Sequence, residues 1–390
     1  MKKFIFLLFA YALSFNLSIY ALEDVSLDLN KSSSYTASIS ESGENVKEKS
    51  LKEKLSDIYN LEVEQIDKPY FMLNEILTKK HQEQSAWEST QLWFGYNADL
   101  SNYFNEDGYK NSRYNFYAIN AGLDGKLKDN KADYRIMLHY VPDVPRSFAQ
   151  NLFADAYVAT NAIPHHRFWL GNTRPRVGYE GGYSPYTLPF MLRSQISRNF
   201  GSVRRLGARM TGDYKLVDYD LGIYDSSTYF QEFMPGTQFI GWINFKPLGL
   251  TDGRYGKIDL GGGIQTGNQD TSYRVAGAYA GYQYKKLWVN FEYSDADGYN
   301  GPVGYVVDKK ASGFYSTLAY RFTPKIQALL RYDEFNPNKN ISNDKKREYS
   351  AGVNYFIKGQ ALKFVLNYVF CQNDATKDSH RFVLGTQILL

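Results

Sequence analysis

From residue 90 to the C-terminus, apolar and polar side chains alternate along the chain with a period of two. In residues 349–357 (YSAGVNYFI), Tyr349, Val353 and Ile357 fall on one face, while Ser350 and Asn354 fall on the other. Successive side chains of a β-strand point to opposite faces of the sheet. Each such run therefore predicts a strand with one apolar face and one mostly polar face.

The alternation is interrupted at regular intervals, which divides this part of the chain into separate strands. An even number of antiparallel strands is what a closed barrel in the bacterial outer membrane requires. The sixteen runs lie near residues 90–101, 113–126, 132–141, 153–160, 165–175, 202–214, 216–225, 236–246, 256–266, 271–284, 286–296, 310–322, 324–335, 346–358, 361–372 and 379–390.

Short and long connections also alternate between these runs. After even-numbered runs the connections are mostly tight, for example LKDNK at 127–131 and KGQA at 358–361. Short turns at one end and long loops at the other are typical of outer-membrane barrels, whereas a soluble β-sandwich has no reason to sort its loops. A β-helix would need a fixed repeat, and we see none. The long, polar connections after odd-numbered runs are 102–112, 142–152, 176–201, 226–235, 297–309 and 336–345.

Residues 1–21 have the pattern of a secretory signal peptide. Lys2 and Lys3 supply a positive charge, residues 4–13 form an uncharged apolar run, and Ala21 offers a small residue for cleavage. The apolar run is shorter than the roughly 20 residues that a membrane-spanning helix needs. We therefore expect an exported protein, with a short membrane anchor as the alternative interpretation.

The composition agrees with a membrane barrel and disagrees with helical spans. The mean hydropathy is −0.46, and beyond the first residues no stretch of 18 apolar residues occurs. The chain nevertheless contains 34 tyrosines and 25 phenylalanines, and such barrels gather aromatic side chains at both membrane interfaces. The sequence thus predicts an all-β fold, with residues 88–390 forming a transmembrane antiparallel β-barrel of about 16 strands in the outer membrane, in contact with its lipid.

Residues 22–87 differ from the rest of the chain. They contain thirteen acidic and eight basic residues, whereas the predicted barrel is basic. Between residues 46 and 66 the apolar side chains Leu51, Leu55 and Ile58 follow a helical period. We expect a partly disordered, partly helical periplasmic extension, which could be a coiled-coil stem, a plug or a solvated linker.

Arginine side chains concentrate where the lumen of the barrel is predicted. Loop 176–201 is the third external loop by order, and in diffusion barrels of this size that loop folds into the lumen. Rings of arginine or lysine mark pores for anions or phosphate, because a narrow, low-dielectric pore focuses their field. The candidate pore-lining, anion-binding residues are Arg176, Arg193 and Arg198 in the loop, and Arg135, Arg205, Arg209, Arg274, Arg321 and Arg331 on the inward faces of strands.

Inward carboxylates provide an alternative, because they could pair with these arginines and leave only mild selectivity. The sequence predicts no catalytic residue, no cofactor site and no metal site, and it gives no indication of a nucleic-acid partner. The lone Cys371 excludes a disulfide within the chain. The inward carboxylates are predicted to be Asp99, Asp124, Asp213, Asp218, Asp220, Asp259 and Glu292.

Three segments around the third loop, GNTRPRVGYE (171–180), PFMLRSQISRNF (189–200) and RRLGARMTGD (204–213), resemble the phosphate-selective porin O and P family. The last strands, such as LKFVLNYVF (362–370), are also similar to that family, and the resemblance extends over roughly residues 88–390. The matching positions of the first segment are Gly171, Arg174, Pro175, Gly178 and Glu180, with Arg174 where the family has lysine.

The resemblance implies a homotrimer of sixteen-stranded barrels with one pore per subunit, an arginine-rich lumen that includes Arg174, and a third loop folded inward. The sequence departs from the family pattern at Leu192, where an acid is common, at Arg176, where proline is common, and at the terminal Leu390. These departures leave phosphate selectivity open.

Three functions are compatible with these observations. The preferred hypothesis is a passive diffusion channel for small hydrophilic solutes that prefers anions, with phosphate as one candidate, and that is not an enzyme. The alternative is a structural or adhesive barrel whose external loops form the functional surface. An outer-membrane enzyme would need a nucleophile and a base on its outer wall, and no such motif is visible.

Overall fold

A computed structural model describes residues 79–80, 87–128, 131–140, 153–201, 204–226, 236–269, 271–300 and 306–390. The predicted signal peptide lies outside these residues. So does nearly all of the predicted helical extension. Of that extension only Lys79–Lys80, a two-residue strand paired with Thr90 and Ser89, and Trp87, the first residue of a long strand, are described.

Sixteen long antiparallel strands form one closed barrel, as the sequence predicts. Each strand pairs with its neighbours in the chain, and the last strand pairs with the first from Ser379 opposite Asn105 to Leu389 opposite Gly95. The strands are β1 (Trp87–Asn105), β2 (Gly108–Leu127), β3 (Ala132–Tyr140), β4 (Phe153–Thr160), β5 (His166–Thr173), β6 (Arg205–Asp213), β7 (Val217–Asp225), β8 (Thr237–Phe245), β9 (Lys257–Gln269), β10 (Thr271–Tyr284), β11 (Leu287–Asn300), β12 (Val306–Thr323), β13 (Ile326–Asn336), β14 (Lys346–Lys358), β15 (Leu362–Asn373) and β16 (Thr376–Leu389).

The alternation of side chains places apolar residues outside and polar residues in the lumen. On β14, Tyr349, Val353 and Ile357 are exposed, whereas Ser350 and Asn354 are buried. Exposed apolar residues recur on the outer faces of nearly all the strands, which gives the barrel a surface suited to lipid. Closure also gives the backbone N–H and C=O groups of every strand a hydrogen-bonding partner. A bilayer requires this, because its interior holds no water to hydrogen-bond with them.

Several strands extend further than the composition indicates. β1 and β2 continue to a tight turn at 106–107, although 102–112 is predicted as a loop. Likewise, β11 and β12 extend into the predicted loop 297–309. Polar sequence beyond the membrane does not prevent two neighbouring strands from continuing their ladder. These parts are therefore long hairpins instead of irregular loops.

The connections divide the barrel into a short-turn end and a long-loop end. The short-turn end includes the two-residue turns 285–286 and 324–325 and the 3₁₀ turn Gly359–Ala361, although the connection 246–256 at this end is longer. The long-loop end includes the connection between β5 and β6, which we call the third loop (residues 174–204). Among the described helices, none is long and apolar enough to cross a membrane.

The third loop folds into the lumen and packs on the inner wall. It contains the short helix α1 (Gln195–Phe200), whose N-cap Ser194 accepts a hydrogen bond from the Ser197 N–H. Ile196 and Phe200 pack against apolar side chains of the wall. The loop is therefore seated by burial of apolar surface. The wall residues of this cluster are Val275, Ala296, Tyr299, Ala311, Tyr315 and Phe335.

Candidate functional site: the constriction at the third loop

Glu180 attaches the third loop to strand β13. Its Oε1 atom lies 2.6 Å from a terminal guanidinium nitrogen of Arg331, and its Oε2 atom accepts a 2.6 Å hydrogen bond from the Ser194 N–H. Arg331 also donates to the Leu192 carbonyl at 3.2 Å. Glu180 and Arg331 are both buried, so water screens this ion pair weakly. The pair therefore ties both halves of the loop to the wall.

Two further carboxylates hold the helical turn of the loop. The Gln195 N–H donates to Oδ2 of Asp333 at 2.7 Å, and a terminal nitrogen of Arg198 donates to Oε1 of Glu348 at 2.9 Å. Burial alone would lower the pKa of the Arg198 guanidinium, but the Glu348 and Asp333 carboxylates outweigh burial and raise that pKa. Arg198 therefore stays positively charged beside the Glu348 and Asp333 carboxylates.

The proline-containing part of the loop, residues 185–189, is held through its backbone carbonyls. Lys363 donates to the Leu188 carbonyl at 2.7 Å, and Asn354 donates to the Pro189 carbonyl at 2.9 Å. Gln387 donates to the carbonyl of Pro185 at 2.8 Å. Proline has no N–H group, so carbonyl acceptors are the natural attachment points of such a segment. The polar inner face of β14 to β16 thus serves to bind the loop.

Five of the ten candidate arginines are paired with carboxylates. Arg135 forms a two-pronged pair with Asp124, with N–O distances of 2.7 and 2.6 Å. Arg209 contacts Asp220 in the same way, with its Nε at 2.8 Å from Oδ1. Bidentate pairs of this kind are strong and fix the guanidinium plane. The remaining candidates with carboxylate partners are Arg176 with Asp218, Arg198 with Glu348, and Arg331 with Glu180.

Four other candidates have different surroundings. Arg174 and Arg193 donate to loop carbonyls, at 3.2 Å to Tyr183 and at 2.8 Å to Glu180 respectively. Arg205 is buried in the wall, and Arg321 lies with its guanidinium carbon 4.2 Å from the centre of the Phe356 ring. The first two arginines therefore shape the loop backbone.

A family comparison bears on the strands from β9 onwards. Residues 257–388 match the model of the family Phosphate-selective porin O and P. This match confirms the resemblance seen in the sequence. The matched range covers the last eight strands of the barrel, β9 to β16. The third loop and the arginines of β3 and β6 lie outside the range that matches this porin family. No curated protein matches the chain.

Solved outer-membrane proteins share the fold at low sequence identity. The anion-selective porin from Comamonas acidovorans has a TM-score of 0.58 and 12% identity, covering 77% of this chain and 99% of that chain. The outer membrane channel DcaP of Acinetobacter baumannii has a TM-score of 0.57 and 11% identity, covering 80% and 100%. OmpT of Vibrio cholerae has a TM-score of 0.54 and 10% identity, covering 79% and 99%. At these identities the likeness establishes the fold alone.

Arg274 is a correction to the candidate list, although it lies within the residues that match the porin family. It is exposed between the buried Tyr273 and Val275, and Val275 packs on the third loop inside the barrel. Arg274 therefore points outward, where it stands opposite Asp297 of β11. The prediction failed because the inner face of β10 is apolar where the loop covers it.

Four acidic residues that hold the loop or the inner wall, Asp155, Glu180, Asp333 and Glu348, were missed by sequence reasoning. Asp155 is fully buried and contacts Nε of Arg204 at 2.7 Å, and the alternation along β4 could have identified it as inward. Glu348 follows the alternation of β14 less clearly, since it lies near the strand's beginning. Glu180 belongs to the loop, so no periodicity could have indicated its partner.

Proposed function

We propose that this chain is a passive diffusion channel of the outer membrane for small hydrophilic solutes, with a mild preference for anions and no catalytic role. The observation that carries the proposal is a closed barrel whose lumen is narrowed by a loop attached to a polar inner wall. A barrel that served only as a scaffold would not need a polar lumen, because its inner face could be packed like a core.

The arrangement of charges supports mild selectivity. Five of the ten candidate arginines contact a carboxylate, so each pair contributes a local dipole instead of a net charge. A phosphate site would need guanidinium donors directed at the solute. In Arg135 and Arg209 the donors of one guanidinium edge are already occupied by a carboxylate. This favours the hypothesis of neutralised arginines over a phosphate-specific pore.

The assembly and surroundings of the barrel are part of the proposal. We expect a homotrimer in lipid, as the family resemblance implies, and a structure of OmpT from Vibrio cholerae in a trimer form has the same fold with a TM-score of 0.51. Exposed apolar residues such as Leu330 and Ile243 would contact lipid or a second subunit.

The experiment that tests the proposal is single-channel recording in a planar bilayer. We expect stepwise conductance in KCl, and a reversal potential across a tenfold salt gradient that lies modestly on the anion side. Millimolar inorganic phosphate should leave the KCl conductance nearly unchanged. Absence of current steps from purified, folded protein would contradict the channel, whereas a large phosphate block would contradict the neutralised pore.

A further inference from the structure

Four neighbouring strands of the barrel are short. β5 has eight residues, and β6, β7 and β8 have nine residues each, with described residues beyond both ends of every strand. By contrast, β9 to β16 have between 11 and 18 residues. The wall of the barrel is therefore low over β5 to β8, and we call the outward side of these four strands the β5–β8 face.

A low wall matches a bilayer poorly. At about 3.3 Å per residue and a tilt of about 40°, strands of this length rise roughly 20–23 Å along the membrane normal. The apolar band of outer-membrane barrels is about 25 Å tall, which β9 to β16 exceed and the β5–β8 face does not reach. A wall that is too short is accommodated by thinning the bilayer or by associating with another protein surface.

Aromatic side chains on the outer surface are distributed unevenly. From β11 round to β2, outward rings of neighbouring strands contact one another in a continuous series that begins at Phe291 and ends at Tyr109. Lipid-facing strands of such barrels carry aromatic girdles at both membrane interfaces. In the long-loop half of the β5–β8 face, Phe239 is the only outward aromatic ring. This face therefore lacks most of one girdle.

The β5–β8 face has large side chains that protrude beside small ones. Leu170 is 70% exposed and Ile223 is 59% exposed, and Ala208 stands between them, directly opposite each in the strand register. Leu221 similarly lies opposite Gly241. Small residues allow protein surfaces to approach closely inside a membrane. The protruding aliphatic side chains could thus interlock with a second protein surface.

We propose that the β5–β8 face is the subunit interface of the channel and packs against a second copy of this chain. The inference rests on the homotrimer of the proposed function and adds the surface through which its subunits meet. In a rotationally symmetric assembly every subunit presents the same face to the axis. Short walls then meet short walls, and the mismatch with lipid disappears, which a partner of another height would not achieve.

Photo-cross-linking identifies what covers this face. Leu170 is replaced by p-benzoylphenylalanine in the full chain, and Leu330, an exposed leucine on β13, is replaced in the same way as the control. Irradiation of the membranes should join subunits through position 170 into a species with the mass of two copies. Position 330 should give no such species, because lipid surrounds it. A product of another mass at position 170, or no product, would overturn the interface.

A matched pair of tryptophan variants tests the same contact by association. Ala208→Trp adds a ring between Leu170 and Ile223, and we expect the monomer fraction in mild detergent to rise about tenfold, measured by light scattering after size-exclusion chromatography. Ala351→Trp adds the same ring to an exposed position of β14, where lipid yields to it, and should leave the monomer fraction unchanged.

The outcomes separate the interface from the channel. An equal rise in monomer for Ala208→Trp and Ala351→Trp would overturn the interface. Unmodified protein that is monomeric and still conducts would do the same while leaving the channel function intact. Absence of current steps from a trimer that cross-links through position 170 would contradict the channel and support the interface.

Discussion

Replacing Glu180 with glutamine should release the third loop from the wall without changing the shape of the side chain. The carboxylate accepts from Arg331 at 2.6 Å and from the Ser194 N–H at 2.6 Å, and both Glu180 and Arg331 are buried. Glutamine can accept one of these bonds but carries no charge. The variant therefore leaves the Arg331 guanidinium buried without its counter-charge.

The expected magnitude follows from this burial. Breaking one partner of a buried ion pair costs about 3–5 kcal/mol. With 1.4 kcal/mol for each factor of ten, the released loop should become roughly 150- to 4,000-fold more populated. The helical turn is also held by Asp333 and Glu348, so the loop should detach for short periods instead of permanently.

Single-channel recording can measure this release directly. We expect Glu180→Gln to show frequent current fluctuations and a higher maximal conductance than the unmodified protein, and to be cleaved faster in the loop by added protease. Glu334→Gln is the matched control, because Glu334 lies on the same strand as Arg331 but pairs with Lys345 and Arg347 near the barrel surface. Surface pairs contribute about 0–1 kcal/mol, so this control should behave like the unmodified protein. If both variants give the same current noise and cleavage rate, the Glu180–Arg331 pair does not hold the loop on the wall.

Three further predictions follow from individual contacts. Asp220→Asn should remove the counter-charge of Arg209. The anion-to-cation permeability ratio, measured by reversal potential in 0.1 M salt, should then rise roughly two- to fivefold. An unchanged ratio would mean that the pair lies away from the ion path. Arg274→Gln should leave conductance and reversal potential unchanged, because the side chain points outward, and a shift in either would place Arg274 in the lumen. Gly171→Ala should destabilise the barrel by about 1–3 kcal/mol, since Gly171 has φ of +129° and a Cβ atom would meet the Ala156 carbonyl oxygen at 2.2 Å. The unfolding temperature, read from heat-dependent migration on gels, should fall. An unchanged unfolding temperature would contradict the expected backbone strain.

The strands could be predicted from the sequence because each has two different surroundings, lipid and lumen. Strand ends could not, because polar hairpins continue beyond the membrane where composition no longer distinguishes the faces. The same reasoning fails on β10, where Val275 faces an apolar loop instead of water, so Arg274 was assigned to the wrong side.

Some contacts of the site could be predicted from the sequence, and others could not. Asp124 and Arg135 stand directly opposite each other in one hairpin, so a correct register would have predicted their pair. Glu180 and Arg331 are 151 residues apart, and their contact exists only because the loop crosses the closed barrel. Periodicity describes one strand at a time, and it carries no information about a loop that meets distant strands.

The order of the third loop in the chain has a consequence for biogenesis. The loop precedes most of its attachment points, since Arg331, Glu348, Lys363 and Gln387 come roughly 150 to 200 residues later than their loop partners. Contacts between such distant residues form late, because the chain between them must first be ordered. The loop can therefore seat only when β13 to β16 are in place, and a barrel caught before closure would be an unobstructed sheet without a constriction. Permeability control would then be the last property that the folding chain acquires.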